Sequence, residues 1–378
     1  MPSSPADHLA AALTRRQTMG LPTPPAPTPT PTPHPANPAP KRGPEAQPDI
    51  SRGCSEGTER NPRITSKTAP SPGRGDRTAS PPNTPPISGA EPPIPETTIF
   101  RAVDGSGDAL PGIFIDSCDG HWLVQTQDIP WPAWLEKTQP LSGWRSLWWK
   151  RLDQHAKEPP RLIAGEPPPQ PFTVRELGLT YELDFRAGYS QGLFIDQRIQ
   201  KSWVAATVRP QQRILNLFAY TCAFSVIAAS RGAVTTSVDL SRPSLEWGKR
   251  NFSLNALDPA AHFFCKGDVA EWLRRFAAKD RTWHGIVLDP PTFSRNDKGR
   301  VFRVEKDFHE LVSACLRLLE PGGWLLCSTN HRALSERDFL TLISRGAADA
   351  GRAIRCEPGA MPPDFTGEPY LKSVHVWG

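Results

Sequence analysis

From about residue 196 onward the chain alternates short apolar runs with amphipathic stretches, and few folds can bury such a pattern. Strands are expected at 213–218, 234–238, 262–264, 284–288, 323–328 and 371–376, with helices near 196–208, 222–231, 241–256, 268–278, 303–320 and 335–350. Each strand and helix can cover its apolar face only if successive strands lie parallel and the helices pack across them. The expected class is therefore α/β: a doubly wound, mostly parallel sheet with helices on both faces. The helix at 303–320 is the clearest. Val304, Phe308, Leu311, Val312, Cys315, Leu316 and Leu319 recur at three- and four-residue steps, and "PGG" at 321–323 ends it.

Upstream the pattern changes twice. Residues 98–187 read as a small α+β domain: "TIFRAVDGSGDALPGIFIDSCDGHWLVQTQ" alternates apolar runs with Gly, Asp and Pro turns, and 171–186 looks like a hairpin turning near Leu177 and Gly178. Between them, "PWPAWLEKTQPLSGWRSLWWKRL" shows helical spacing toward its end. Its tryptophans among Lys and Arg could stack on RNA bases. The preferred reading is that Trp144, Trp148 and Trp149 pack a core while Lys150 and Arg151 face water. Residues 1–97 hold 24 of the 44 prolines and few apolar side chains, so burial cannot offset the entropy of ordering. A disordered, partly polyproline tail is expected there.

No apolar run is long enough for a signal-peptide core or a membrane span, so a cytoplasmic protein without membrane attachment is expected. The seven cysteines are scattered without C-x-x-C pairs and read as reduced, mostly buried thiols; no metal site is indicated. A net charge of +5 is compatible with a polyanionic partner without requiring one.

In a doubly wound sheet, ligands sit beyond the carboxyl ends of the strands. The first strand runs into Phe218-Ala-Tyr-Thr-Cys-Ala-Phe-Ser, a turn without the glycines that a dinucleotide pyrophosphate needs for close backbone approach. An adenosine without phosphates tolerates a looser turn with small residues such as Ala219, Thr221 and Ala223. The second strand ends at Asp239, 23 residues beyond Asn216, suited to accepting both hydroxyls of a ribose. After the third, Asp268 could accept from an adenine amine while capping the next helix. The fourth ends in Asp289-Pro290-Pro291-Thr292-Phe293, a stiff turn that could aim carbonyls and a carboxylate at a flat base, with Phe293 stacking on it. Any one of these aspartates could be a simple turn former; their succession is what is specific.

"GLFIDQRIQKSWV", "ILNLFAYTCAFSVIAASRGAVTTSVDLSRPSLEWGKRNFSLNAL", "GIVLDPPTFSR" and "LLCSTNHR" together resemble the class I S-adenosylmethionine-dependent 23S ribosomal RNA methyltransferases, the family of the large-subunit guanine-N7 and cytosine-5 enzymes. The similarity covers roughly 98–378. It implies S-adenosyl-L-methionine as cofactor, large-subunit ribosomal RNA as partner, and a methyltransferase domain at 188–378. It also implies that Asn216, Phe218, Tyr220, Thr221, Asp239, Ser241, Asp268 and Asp289 line the cofactor pocket, with Gly192, Phe194 and Asp196 closing over the methionine end. Asp289, Pro290, Pro291, Phe293 and Asn330 would surround the reacting base. The family usually has Thr-Gly where this chain has Thr221-Cys222, and a thiol there is expected to narrow the methionine subsite.

The two branches of that family need different residues. Cytosine C5 is a poor nucleophile and requires a cysteine thiolate to add at C6, whereas guanine N7 already exposes a lone pair and needs mainly positioning. Cytosine-5 members carry Phe-Ser-Cys-Ser near residue 327; here Thr329 stands in the nucleophile's place. Ser328-Thr329-Asn330-His331-Arg332 is closer to the guanine-N7 pattern, with Asn330 at a base edge and Arg332 on a phosphate. Guanine N7 is thus favoured. The alternatives are cytosine-5 transfer through Cys327 or Cys222, and a non-catalytic RNA-binding factor that retains the fold.

Overall fold

The computed structural model describes residues 4–21, 96–138, 143–154, 158–188, 190–295 and 301–378. In chain order its elements are α1 (Pro5–Thr18), β1 (Ile99–Asp104), β2 (Ile113–Cys118), β3 (His121–Thr126), β4 (Ser146–Arg151), β5 (Arg161–Gly165), β6 (Phe172–Glu176) and β7 (Leu179–Leu183). They continue as α2 (Arg198–Thr207), β8 (Arg213–Leu217), α3 (Ala223–Ala229), β9 (Val234–Asp239), α4 (Arg242–Leu254), β10 (Phe263–Lys266), α5 (Val269–Ala277) and β11 (Trp283–Leu288). The last are β12 (Phe293–Arg295), β13 (Val301–Arg303), α6 (Val304–Leu318), β14 (Leu319–Thr329), α7 (Glu336–Ala350), β15 (Arg355–Gly359) and β16 (Lys372–Trp377).

The larger sheet has the order β10-β9-β8-β11-β14-β16-β15. Its first five strands pair in parallel, and β16 and β15 close it antiparallel. The expected α/β doubly wound class is therefore the observed one. Chain order reverses direction between β8 and β11, and a crevice must open at that switch point because the flanking connections leave on opposite sides. The core on one face joins Leu215, Ile286, Phe308, Val312, Leu316 and Leu325, so the periodic face of α6 is the face that is buried.

The smaller sheet runs β1-β2-β3-β4-β5. Its fourth strand corrects the helical spacing expected around the tryptophans: Ser146–Arg151 is a strand, with Trp148 buried and Trp149 stacked on Arg161. A period of two also overturns the expectation for Lys150. It alternates inward and is buried near Asp116, and burial lowers its ammonium to about 8, while Arg151 is exposed as expected. The β6–β7 hairpin turns where the sequence places it, with Leu177 (φ 54°) and Gly178 (φ 77°) both left-handed, the geometry that matches strand twist in a two-residue turn.

Helix α1 corrects the expectation of an unstructured tail for its own residues; residues 22–95 of that tail lie outside the described ones. Ser4 accepts from the Asp7 amide and Asp7 returns a bond to the Ser4 amide, so both helix-end donors are satisfied. Leu9, Ala12 and Leu21 then join Phe100, Ile115, Trp122 and Leu147 in one core. Arg16, only 1% exposed, donates to both carboxylate oxygens of Asp108 (2.7 Å each), to the Arg101 carbonyl (2.9 Å) and to the Asp364 carbonyl (2.6 Å). The apolar "LAAAL" face is too short to build a core, yet long enough to complete one. Among the described residues no helix is long and apolar enough to cross a membrane.

Candidate active site

A cavity of about 330 Å³ opens at the switch point, bounded by the turn after β8, the end of β9, the turn after β11 and residues 190–201. The turn after β8 is unusual. Phe218, Tyr220 and Cys222 have φ of 58°, 48° and 63°, so three side-chain-bearing residues occupy the left-handed region in alternation. That costs on the order of 1–2 kcal/mol each, and such strain persists only where surroundings fix it. Three bonds fix it here. The Tyr220 amide donates to Asp239 Oδ2 (2.8 Å), Thr221 Oγ1 donates to the Gly192 carbonyl (2.6 Å), and Asn251 Nδ2 on α4 donates to the Thr221 carbonyl (3.0 Å).

Asp239 is held from both sides, because the Ser241 amide donates to its other oxygen (2.8 Å). Its carboxylate is thereby fixed with a lone pair on each oxygen still available. Burial nevertheless raises it above the ordinary carboxylate value. Ser241 itself lies outside the cavity lining and caps α4. Asn216 lines the cavity and anchors the turn to α3 through Ser225 Oγ (2.9 Å). Gly192 supports the wall without lining it. Its φ is 120°, and a Cβ there would meet Trp247 at 2.5 Å and the Glu182 carbonyl at 2.7 Å.

Phe194, Asp196, Phe218, Tyr220, Thr221, Asp289, Pro290, Pro291 and Asn330 all border this cavity. Asp268 does not. It caps α5 and lines a second cavity of about 260 Å³ that shares Phe218 and Leu240 with the first. Phe293 begins β12, and its side chain lies outside the described residues. Asp289 is pushed up to about 7 by burial and by the nearby Asp196 carboxylate, against a bond from Gln197 Nε2 (3.0 Å). Asp196 is also raised, chiefly by burial, and accepts from Tyr370 OH (2.9 Å). Thr292 Oγ1 donates to Asn330 Oδ1 (2.9 Å), which fixes the orientation of the Asn330 amide at the cavity and engages one of the two lone pairs of Oδ1.

Sequence reasoning missed Gln197, Thr292, Lys201, Tyr370 and Leu371. Gln197 adjoins Asp196 in the quoted stretch, but its partner lies 92 residues away, and no local pattern encodes that distance. The expected narrowing by Cys222 is overturned. Its left-handed backbone turns the thiol away from the cavity and against Gly248 of α4, where an added Cβ would meet Sγ at 2.4 Å. Cys222 and Cys327 are both fully buried, and burial pushes the first thiol to about 12 and the second well above its ordinary value. Among the described residues no cysteine lines the cavity.

Carboxylates from the ends of β9 and β11 and from the turn before α2, with Asp239 placed as a ribose acceptor and a turn without phosphate-binding glycines, suit an adenosine carrying a cationic tail. A family profile described as S-adenosylmethionine-dependent methyltransferase matches residues 148–373. The chain belongs to that family. The methyltransferase is 31% identical to YwbD of Bacillus subtilis (strain 168) over 71% of its own length and 70% of the relative's. It is 30% identical to ribosomal RNA large subunit methyltransferase I of Tolumonas auensis, over 74% and 75% of the two chains. The solved structure of SMU.776 complexed with SAH superimposes with a TM-score of 0.68 at 28% identity, covering 75% of this methyltransferase and 76% of that chain. S-adenosylmethionine is therefore the cofactor, and the methyltransferase has a cavity of fitting size and charge for it.

Proposed function

We propose that this methyltransferase modifies a base of large-subunit ribosomal RNA, at guanine N7. Bound S-adenosylmethionine supplies an electrophilic methyl group on a positively charged sulfur. Asp239 would accept the two ribose hydroxyls, Asp268 the adenine amine in the second cavity, and Asp196 and Asp289 would face the cationic end. Pro290 and Pro291 would stiffen the wall against which the base lies, and the small domain at 98–187 would lie on the RNA side of the methyltransferase domain at 188–378.

The ribosomal substrate is supported by the names of the relatives. The choice of guanine rests on the Thr292–Asn330 bond. With one lone pair of Oδ1 taken by Thr292, the Asn330 amide nitrogen is its free donor, and guanine presents the acceptor O6 beside the reacting N7 on its major-groove edge. Cytosine presents an amine donor beside C5, which would have to share Asn330 Oδ1 with Thr292. Cytosine-5 chemistry also needs a thiolate at the cavity. The enzyme should therefore place 7-methylguanosine in unmodified large-subunit RNA, read by mass spectrometry of nuclease digests. Recovery of 5-methylcytidine, or a covalent adduct with 5-fluorocytosine RNA, would replace this reading with the cytosine-5 one. Asp289→Ala should remove methylation while leaving the circular dichroism spectrum unchanged.

A further inference from the structure

Tyr370 touches the cofactor side and the rim of the site at once. Its hydroxyl donates to Asp196 Oδ2 at 2.9 Å, and the Arg332 guanidinium lies over its ring, 4.6 Å from the centroid. Lys372 Nζ bonds the carbonyls of both His331 (3.2 Å) and Tyr370 (3.3 Å), which ties the Arg332 segment to the Tyr370 segment. Stacking restrains the face of a guanidinium and leaves its N–H edge available, the edge that pairs with phosphate.

We propose that Tyr370 is a positioning residue for this reaction, holding Asp196 on the cavity wall with its hydroxyl and seating Arg332 at the rim with its ring, so that one side chain orders both the methyl-donor site and the RNA-backbone site. The Arg332 half rests on the ribosomal RNA reading above; the Asp196 half rests only on the cofactor. The charged and titratable groups facing Asp196 are Tyr370 itself, Arg101 from β1, Lys201 from α2 and Asp289 after β11. Tyr370 is held well above its ordinary value by burial and by Asp196, so it remains a donor across the working pH range. Its bond favours the ionised form of Asp196, which is the form a cation needs.

Two variants separate the halves. Tyr370→Phe keeps the ring and loses the hydroxyl, whereas Tyr370→Leu loses both. In calorimetric titration with S-adenosylmethionine at pH 7, Tyr370→Phe should bind about 10-fold more weakly. The deficit should shrink as pH rises, because ionisation of the raised Asp196 carboxylate then depends less on the Tyr370 bond. Adding Tyr370→Phe to Asp196→Asn should cost nothing further. An in vitro transcript of large-subunit RNA should bind Tyr370→Phe as it binds wild type, and should bind Tyr370→Leu about 5-fold more weakly. Wild-type cofactor affinity in Tyr370→Phe, or a deficit equal at every pH, would overturn the Asp196 half. Equal RNA affinity in all three proteins would overturn the Arg332 half. Failure of wild type itself to bind the transcript would reject the RNA reading and the Arg332 half with it, while the cofactor titration still decides the Asp196 half.

Discussion

Asp289 is the residue whose charge state should govern the enzyme near neutrality. In the folded chain it holds its proton up to about 7, well above the ordinary 3.8. A raised carboxylate value stabilises the fold fully below about pH 4, and that contribution disappears as pH rises through 7. Asp289→Asn should therefore flatten the stability profile between those limits. Chemical denaturation across pH should show wild type losing up to about 4 kcal/mol relative to the variant. Cofactor binding runs the opposite way, because a cationic sulfur is held by the ionised carboxylate. Affinity for S-adenosylmethionine should rise about tenfold from pH 6 to pH 8, while the uncharged thioether S-adenosylhomocysteine should change far less. Parallel curves for the two ligands would show that neither Asp289 nor Asp196 faces the sulfur.

At the scale of elements, the turn after β8 and helix α4 are fitted to each other. Cys222 occupies a left-handed position that suits glycine, and Gly248 is the glycine that makes room for its thiol. Gly248→Ala should cost about 1–3 kcal/mol by overpacking, and Cys222→Gly should recover most of that loss in the double variant. Urea midpoints of the four proteins give the coupling. Additive losses would mean that the thiol has another place to go. The same turn marks where local sequence patterns stop being informative. The strand and helix positions of the larger sheet were legible because an apolar period of 2 or 3.6 is local, and Asp239 and Asp289 were legible because a strand end is a local event. The direction of the Cys222 side chain is set by a φ angle that composition does not reveal. Lys150 was misplaced because a strand read as a helix assigns alternate residues to the wrong face. Gln197, Thr292 and Tyr370 became visible only once distant segments met.

For the molecule as a whole, α1 is the element that sequence reasoning undervalued. Arg16 reaches Asp108 in the smaller-sheet region and the carbonyl of Asp364, whose own carboxylate pairs with Arg198 at the start of α2 and accepts from the Arg101 amide (2.8 Å). Replacing Arg16 with Met removes one of the two arginines on Asp108 and the donor to the Arg101 and Asp364 carbonyls, while Arg15, the Asp104 amide and Thr366 still donate to Asp108, and should lower stability by about 1–3 kcal/mol. Removing residues 1–21 should lower it comparably and weaken cofactor binding as well, because Asp364 restrains the segment leading to Tyr370. Thermal melts with and without S-adenosylmethionine would read both effects, and unchanged melts would show that α1 contributes nothing to either. Its acceptors also impose an order of events during synthesis. Arg16 leaves the ribosome 348 residues ahead of Asp364, so α1 stays incompletely seated until the distant segment around Asp364 has been translated.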